Sequence, residues 1–197
     1  MVATFLQAEI DSSLWGDRVR QLLPTFQLTE AMVRHPNLSD PDQNSRRAAV
    51  LGVYRGWRQD TILFTRWPDG VEWWFVALDK ADLANIRYMN HPKWRAFSGN
   101  TLKPTVAAER VKRGDEATFE DIPLVAIKAI ATAMSNGVSF LPVIAVGTRE
   151  SSTIVMVEGQ TRITAYALAG GEGELSALLG LGPLEGLRAW HWWPPQE

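Results

Sequence analysis

Residues 153–170, TIVMVEGQTRITAYALAG, constrain the fold more than any other stretch of the chain. Thr153, Ile154, Val155, Met156 and Val157 form a short apolar, β-branched run of strand length. Glu158 and Gly159 break it. From Gln160 the spacing becomes helical, with Ile163, Tyr166, Ala167 and Gly170 on one face and Gly170-Gly171 as the stop. A buried strand that passes through one glycine into a helix demands a sheet with a helix packed on it.

Such a junction has chemical consequences. The first N–H groups of a helix lack internal partners, and the helix dipole adds partial positive charge there. Gly159 lets a ligand approach the backbone closely. Thr161 brings a hydroxyl, and Arg162 brings a planar, permanently charged fork suited to phosphate. Glu158 can hold a metal or accept a proton. The turn therefore reads as an anion site, most simply a phosphate site. The plainer reading is a tight turn with Arg162 paired to a carboxylate, and spacing alone leaves both open.

Glu158-Gly159-Gln160-Thr161-Arg162, followed by Thr164-Ala165-Tyr166, resembles the signature of the ParB/sulfiredoxin-like superfamily. The usual form is an acidic or small residue, Gly, often His, any residue, Arg, then an Ala-rich helix. The segment upstream fits as well: a helix over 122–136, Gly137, and a Pro-led strand over 141–146. The resemblance covers residues 120–193. It implies a small mixed sheet flanked by helices, an α+β fold, with residues 116–197 as the core and residues 1–115 as a helical and hairpin extension packed on it. It also implies that the turn holds nucleotide phosphates, with ATP or CTP and Mg²⁺ as cofactors. Gly159, Gln160, Thr161 and Arg162 would cradle the phosphates, Glu158 would hold the metal or act as base, and Glu158 and Arg162 would be the catalytic pair. A polar residue often precedes the Pro-led strand, which brings in Ser139, although the chain carries one extra residue there. Two departures stand out. Gln160 replaces the usual histidine and cannot be a cation or a general acid near neutral pH. The chain has no cysteine, which excludes the sulfiredoxin reaction.

Composition narrows the class. With 46% hydrophobic and 21% charged residues, the chain has material for a substantial core. A net charge of −2 gives no global basic footprint, which disfavours nucleic acid as a partner. The absence of cysteine removes disulfide frameworks and thiolate zinc sites, and no apolar run reaches membrane-spanning length. A cytoplasmic protein is expected. Nine tryptophans are read mainly as core residues.

Residues 1–60 look mainly helical. Asp11 with Ser12 or Ser13 suits a cap for a helix ending near Pro24, and Thr29 starts a short turn. A stronger helix from about Asp42 carries Val50, Val53, Tyr54 and Trp57 on its inner stripe. Arg46, Arg47, Arg55 and Arg58 make its other sides basic, either as a solvated face or as a phosphate-contacting patch. Residues 61–67 and 71–78 read as a hairpin about Pro68-Asp69-Gly70. Asp79 is expected to cap a helix over 80–88, another helix spans 101–112, and Asp121 is expected to cap the helix over 122–136. A charged break at Gly114-Asp115-Glu116 marks the domain boundary. If the strands on either side of the loop 147–152 pair as a hairpin, that loop lies at the far end from the motif turn, which makes Ser139 a better site candidate than Arg149. Residues 171–183 read as loop with a helical turn, and 187–193 as a final strand bearing Arg188 and His191. The histidines His35, His91 and His191 show no metal-ligand spacing.

Two functions compete on these residues. One is a nucleotide-binding phosphotransferase or nucleoside triphosphate hydrolase acting on a small-molecule or protein substrate, with Arg46, Arg47, Arg149 or Arg188 as second cation. The other is a non-catalytic ParB-like binding or interaction module, which the histidine-to-glutamine departure favours. A DNA-partition role is disfavoured by the charge and by the lack of a helix-turn-helix pattern after Gly170.

Overall fold

The computed structural model describes residues 1–12, 14–115 and 121–195. The chain divides into two compact units, Met1–Trp67 and Pro68–Glu197. The expected capping role of Ser13 and the Glu116 part of the expected charged break lie outside the described residues.

The first unit is helical, with α1 (Val2–Ile10), α2 (Gly16–Leu22), α3 (Glu30–Arg34) and α4 (Pro41–Arg55). Each start has a local cause. Ser12 Oγ accepts from the amides of Leu14 and Trp15 ahead of α2. Thr29 Oγ1 accepts the Met32 N–H at 3.2 Å to cap α3, and Asp40 Oδ1 accepts the Gln43 N–H at 3.0 Å to cap α4, with Pro41 in its first turn. The buried stripe of α4 is Arg47, Val50, Leu51 and Tyr54, whereas Val53 faces solvent. The stripe is therefore rotated from the expected one, because Arg47 belongs to it. Its guanidinium, buried under α4, donates to the carbonyls of Met32 at 3.2 Å and Asn37 at 3.0 Å and to the side chains of Gln43 and Asn44. Burial pulls the Arg47 pKa below its ordinary value.

A second buried polar group joins α1 to α4. Tyr54 donates its hydroxyl hydrogen to Glu9 Oε2 at 2.5 Å, and Arg55 donates to Glu9 Oε1 at 2.6 Å. The Arg55 guanidinium also lies 3.8 Å from the centre of the Trp15 ring. Arg47 and Arg55 are thus internal fasteners of the first unit. Neither contributes to the solvated face or the phosphate patch read from the sequence.

The second unit contains a five-stranded mixed sheet of order β1-β5-β3-β4-β2. Its strands are β1 (Glu72–Leu78), β2 (Ile86–Arg87), β3 (Val143–Gly147), β4 (Ile154–Glu158) and β5 (Leu175–Leu181). With helices around a mixed sheet, the chain is α+β. β3 sits at the centre and is buried at every residue, as expected for a strand covered on both faces. It pairs antiparallel with β4 through the loop 147–152 and parallel with β5. The helices are α5 (Pro92–Phe97), α6 (Pro104–Arg113), α7 (Leu124–Ser135), α8 (Gln160–Leu168) and α9 (Leu184–Ala189), and α8 packs against α6 and α7. Among the described residues no helix is long and apolar enough to cross a membrane.

Several local expectations change. The hairpin over 61–78 does not form: residues 62–64 make a 3-10 turn, Ile62 and Arg66 adopt left-handed backbone, and β1 pairs antiparallel with β5 instead. The helix expected over 80–88 is a 3-10 turn at Asp82–Ala84 followed by β2. Asp79 is not the N-cap of that turn, which is Ala81; its carboxylate accepts from Ala81 N–H at 2.7 Å and Asp82 N–H at 3.2 Å just ahead of it. Asp121 does not cap α7, which starts after Pro123. The strand expected over 187–193 is replaced by α9, and the last strand is β5, in the stretch read as loop. Because β1 and β2 complete the sheet at its two edges, the elements of residues 68–115 belong with the core, and the division read at 115/116 lies inside the second unit.

Candidate functional site

The motif turn forms where it was read. β4 ends on Glu158, Gly159 turns the chain at φ +94°, and α8 begins at Gln160. Glycine is required there twice over. An L side chain rarely adopts that φ, and a Cβ would lie 2.6 Å from Val143 Cγ1 and 2.9 Å from Val143 Cβ. The turn thus presses directly on the first residue of the central strand.

Arg162 completes the turn and points inward. Its guanidinium donates to the Glu158 carboxylate, to the Leu141 carbonyl at 2.5 Å and to the Pro142 carbonyl at 3.2 Å. The two charged side chains are 11% and 16% exposed. The structure therefore brings Glu158, Gly159 and Arg162 together as a fastener. The fork joins the end of β4, the first turn of α8 and the lead-in to β3.

The remaining expected residues lie around this fastener without joining it. Gln160 donates its side-chain amide to the Val157 carbonyl at 3.3 Å. Thr161 is half-buried in the first turn of α8, and Ser139 is exposed on the connection after α7. Thr164, which the motif includes without a role, is fully buried. Its hydroxyl bonds the Gln160 carbonyl at 2.6 Å and lies 2.5 Å from the hydroxyl of buried Tyr88. Burial pushes the Tyr88 hydroxyl pKa well above its ordinary value. The Tyr88 ring stacks on Trp94, 5.1 Å between centres.

Glu158, the residue expected to hold a metal, gives its Oε2 to Arg162. The second cations considered from sequence lie elsewhere. Arg46 donates to the Gln27 carbonyl at 3.4 Å, and Arg149 pairs with Glu72 at 3.0 Å on the surface. Arg188 stands on α9 beside Glu185. His191 is exposed against Trp192. His91 caps α5 through Nδ1, and both burial and nearby Lys93 lower its pKa.

The other end of β4 carries a feature that no local motif announced. Arg87, Arg95, Arg188, Ser151, Thr153 and Trp193 contribute to the walls of a cavity of about 320 Å³. These side chains come from β2, α5, α9, the loop before β4 and the segment after α9, so nothing in their spacing could have joined them. No family model, curated protein or solved structure matches the chain.

Proposed function

We propose that the chain is a non-catalytic binding module with a core of the ParB/sulfiredoxin-like kind, in which residues 158–162 hold the fold together. The observation that carries this reading is the contact of the Arg162 guanidinium with the Glu158 carboxylate and the carbonyls of Leu141 and Pro142. Phosphoryl transfer depends on positioning and on neutralising charge at the transferred group. At this turn the cation is already committed to three protein oxygens, and the carboxylate is committed to the cation. A phosphotransferase or nucleoside triphosphate hydrolase using ATP or CTP with Mg²⁺ would have to break that contact and leave two carbonyls without their donor.

The test is turnover together with stability. The full chain is incubated with ATP and with CTP, with and without Mg²⁺, and phosphate release is followed. The expected result is no release above background. Nucleotide turnover by the wild-type chain that is lost in Glu158→Gln, with the melting temperature retained, would overturn the reading.

A further inference from the structure

We propose that β1 is an interface on which a second copy of this chain adds its own β1, antiparallel and centred on Phe75, so that two sheets join edge to edge. This goes beyond the reading above, because it gives the module a partner and rests on nothing at the motif turn. The sheet has two unlike edges. β2 is two residues long, which gives a stray strand little to pair with. β1 runs seven residues and pairs with β5 without a register shift, and among the described residues no strand lies beyond it.

Long edge strands are normally blunted by lysine, proline, a bulge or a covering element. Residues 72–78, EWWFVAL, contain neither Lys nor Pro, and their charged residue, Glu72, pairs with Arg149 at 3.0 Å. Successive side chains of a strand point to opposite faces, so Trp73, Phe75 and Ala77 share one face and Trp74 and Val76 share the other. Phe75 is 74% exposed and Trp74 is 52% exposed, which leaves an aromatic ring open to solvent on each face of the edge. β1 therefore combines a row of edge backbone groups with a large apolar anchor on either side of it.

The strand is complementary to itself when reversed about Phe75. Trp73 then comes opposite Ala77 of the second copy, large against small on one face, and Trp74 comes opposite Val76 of the second copy on the other, an aromatic against a β-branched side chain. The charges beyond the strand match as well. Arg149, held at the Glu72 end, is brought to the end at which exposed Asp79 of the second copy lies, and exposed Lys80 comes beside exposed Asp69 of the second copy. Two-fold symmetry repeats each contact. Parallel pairing in register would instead set Glu72 beside Glu72 and Lys80 beside Lys80, like charges that oppose it.

The area is of the right order. With roughly 150–250 Å² per aromatic side chain, the exposed parts of Phe75 and Trp74 remove about 500 Å² from water over the two copies, about a third of a standard interface of roughly 1,600 Å². The remainder falls to the edge backbone, to Val76 and Ala77 and to the charges at the rim, which fits a reversible, concentration-dependent dimer. A strand from another protein would ask nothing of how this edge matches its own reverse, and that match favours the second copy.

Sedimentation velocity of the full chain over a range of concentrations tests the proposal, and a monomer–dimer equilibrium is expected. Phe75→Lys sets two like charges against each other and should raise the dimer dissociation constant by roughly tenfold or more. Circular dichroism checks that this variant, changed at an exposed position, keeps its fold. The chain has no cysteine, so Phe75→Cys introduces a single thiol. Residues directly opposite in an antiparallel pair have Cα atoms about 4.5–5.5 Å apart, within disulfide reach. Mild oxidation should therefore couple two Phe75→Cys chains. Two Ala77→Cys chains should stay uncoupled, because that position stands about 13 Å along the strand from its own copy. A wild-type chain that remains monomeric at every concentration would overturn the proposal. A dimer indifferent to Phe75→Lys would overturn it by placing the contact on another surface. Failure of Phe75→Cys to couple, or coupling of Ala77→Cys in its place, would overturn the pairing centred on Phe75. A monomeric chain that binds a synthetic peptide of residues 71–79 would overturn it in favour of a strand from another protein. None of these outcomes involves nucleotide turnover, so the non-catalytic reading stands or falls separately.

Discussion

Arg162 stands one helical turn after Glu158, and its guanidinium lies between that carboxylate and the carbonyls of Leu141 and Pro142. One side chain thereby joins two strands and a helix. Removing it leaves a nearly buried carboxylate without its partner, a change that typically costs about 3–5 kcal/mol. Arg162→Ala should lower the stability of the second unit by about that amount in urea denaturation. Arg162→Lys should recover little, because a compact ammonium cannot reach acceptors placed for a planar fork. A lysine variant as stable as wild type would show that charge alone suffices.

Gly159 and Val143 are coupled by contact. Gly159→Ala puts a side chain into left-handed backbone, at about 1–2 kcal/mol, and drives its Cβ into Val143 at 2.6 Å. Overpacking of this kind adds about 1–3 kcal/mol. Val143→Ala removes the Cγ1 part of the clash, keeps the 2.9 Å approach to the Cβ of residue 143, and leaves the backbone strain. In a double-mutant cycle the pair should therefore cost less than the sum of the single changes, by about 0.5–3 kcal/mol. Strict additivity would mean that strain at φ, and not the close approach, makes glycine necessary.

The parts of the fold visible in the sequence are those in which local preference and tertiary demand agree. The strand-glycine-helix unit was legible because its apolar period changes at Gly159, and the β3–β4 pair was legible from two β-branched runs and a polar loop. The pairing of β1 was not. Pro68-Asp69-Gly70 is good turn chemistry, but the partner of β1 is β5, far along the chain and rich in Leu and Gly, which carry little strand preference. α9 was misread because alternating Leu187, Ala189 and His191 suggested a strand where a short helix buries Leu187 and the residue that ends it, Trp190, is buried as well. At the motif turn the residue types were legible and the direction of Arg162 was not: a carboxylate four residues earlier and a phosphate satisfy a guanidinium equally well. The cavity was invisible because its arginines share no element.

Two buried tyrosines make stability sensitive to alkali. Burial raises the pKa of both Tyr54 and Tyr88, and the adjacent Glu9 carboxylate raises Tyr54 further. The folded chain then holds these protons more tightly than the unfolded chain, where tyrosine titrates near 10. Their contribution is full below about pH 10 and is lost as pH rises above it, at about 1.4 kcal/mol per unit for each tyrosine. Denaturation midpoints measured from pH 8 to 11 should fall above pH 10. Tyr54→Phe should flatten the fall for the first unit, and Tyr88→Phe for the second. Unchanged slopes in both variants would assign the alkaline loss to other groups.

Ser98 controls the wall of the cavity without entering its charge. It is fully buried, its hydroxyl donates to the Trp94 carbonyl at 2.8 Å, and its oxygen accepts the Leu102 N–H at 2.8 Å. Ser98→Ala leaves that amide buried and unpaired, at about 1–3 kcal/mol. Leu102 holds φ 57° only while it is tied from both sides, so the loss should release the backbone at 99–102 toward relaxed conformations. Hydrogen exchange at the Leu102 amide should quicken in Ser98→Ala. Ser98→Thr keeps the hydroxyl and should retain slow exchange wherever its extra methyl is accommodated. Exchange at Leu102 as slow in Ser98→Ala as in wild type would show that the backbone at 99–102 is held without the Ser98 hydroxyl.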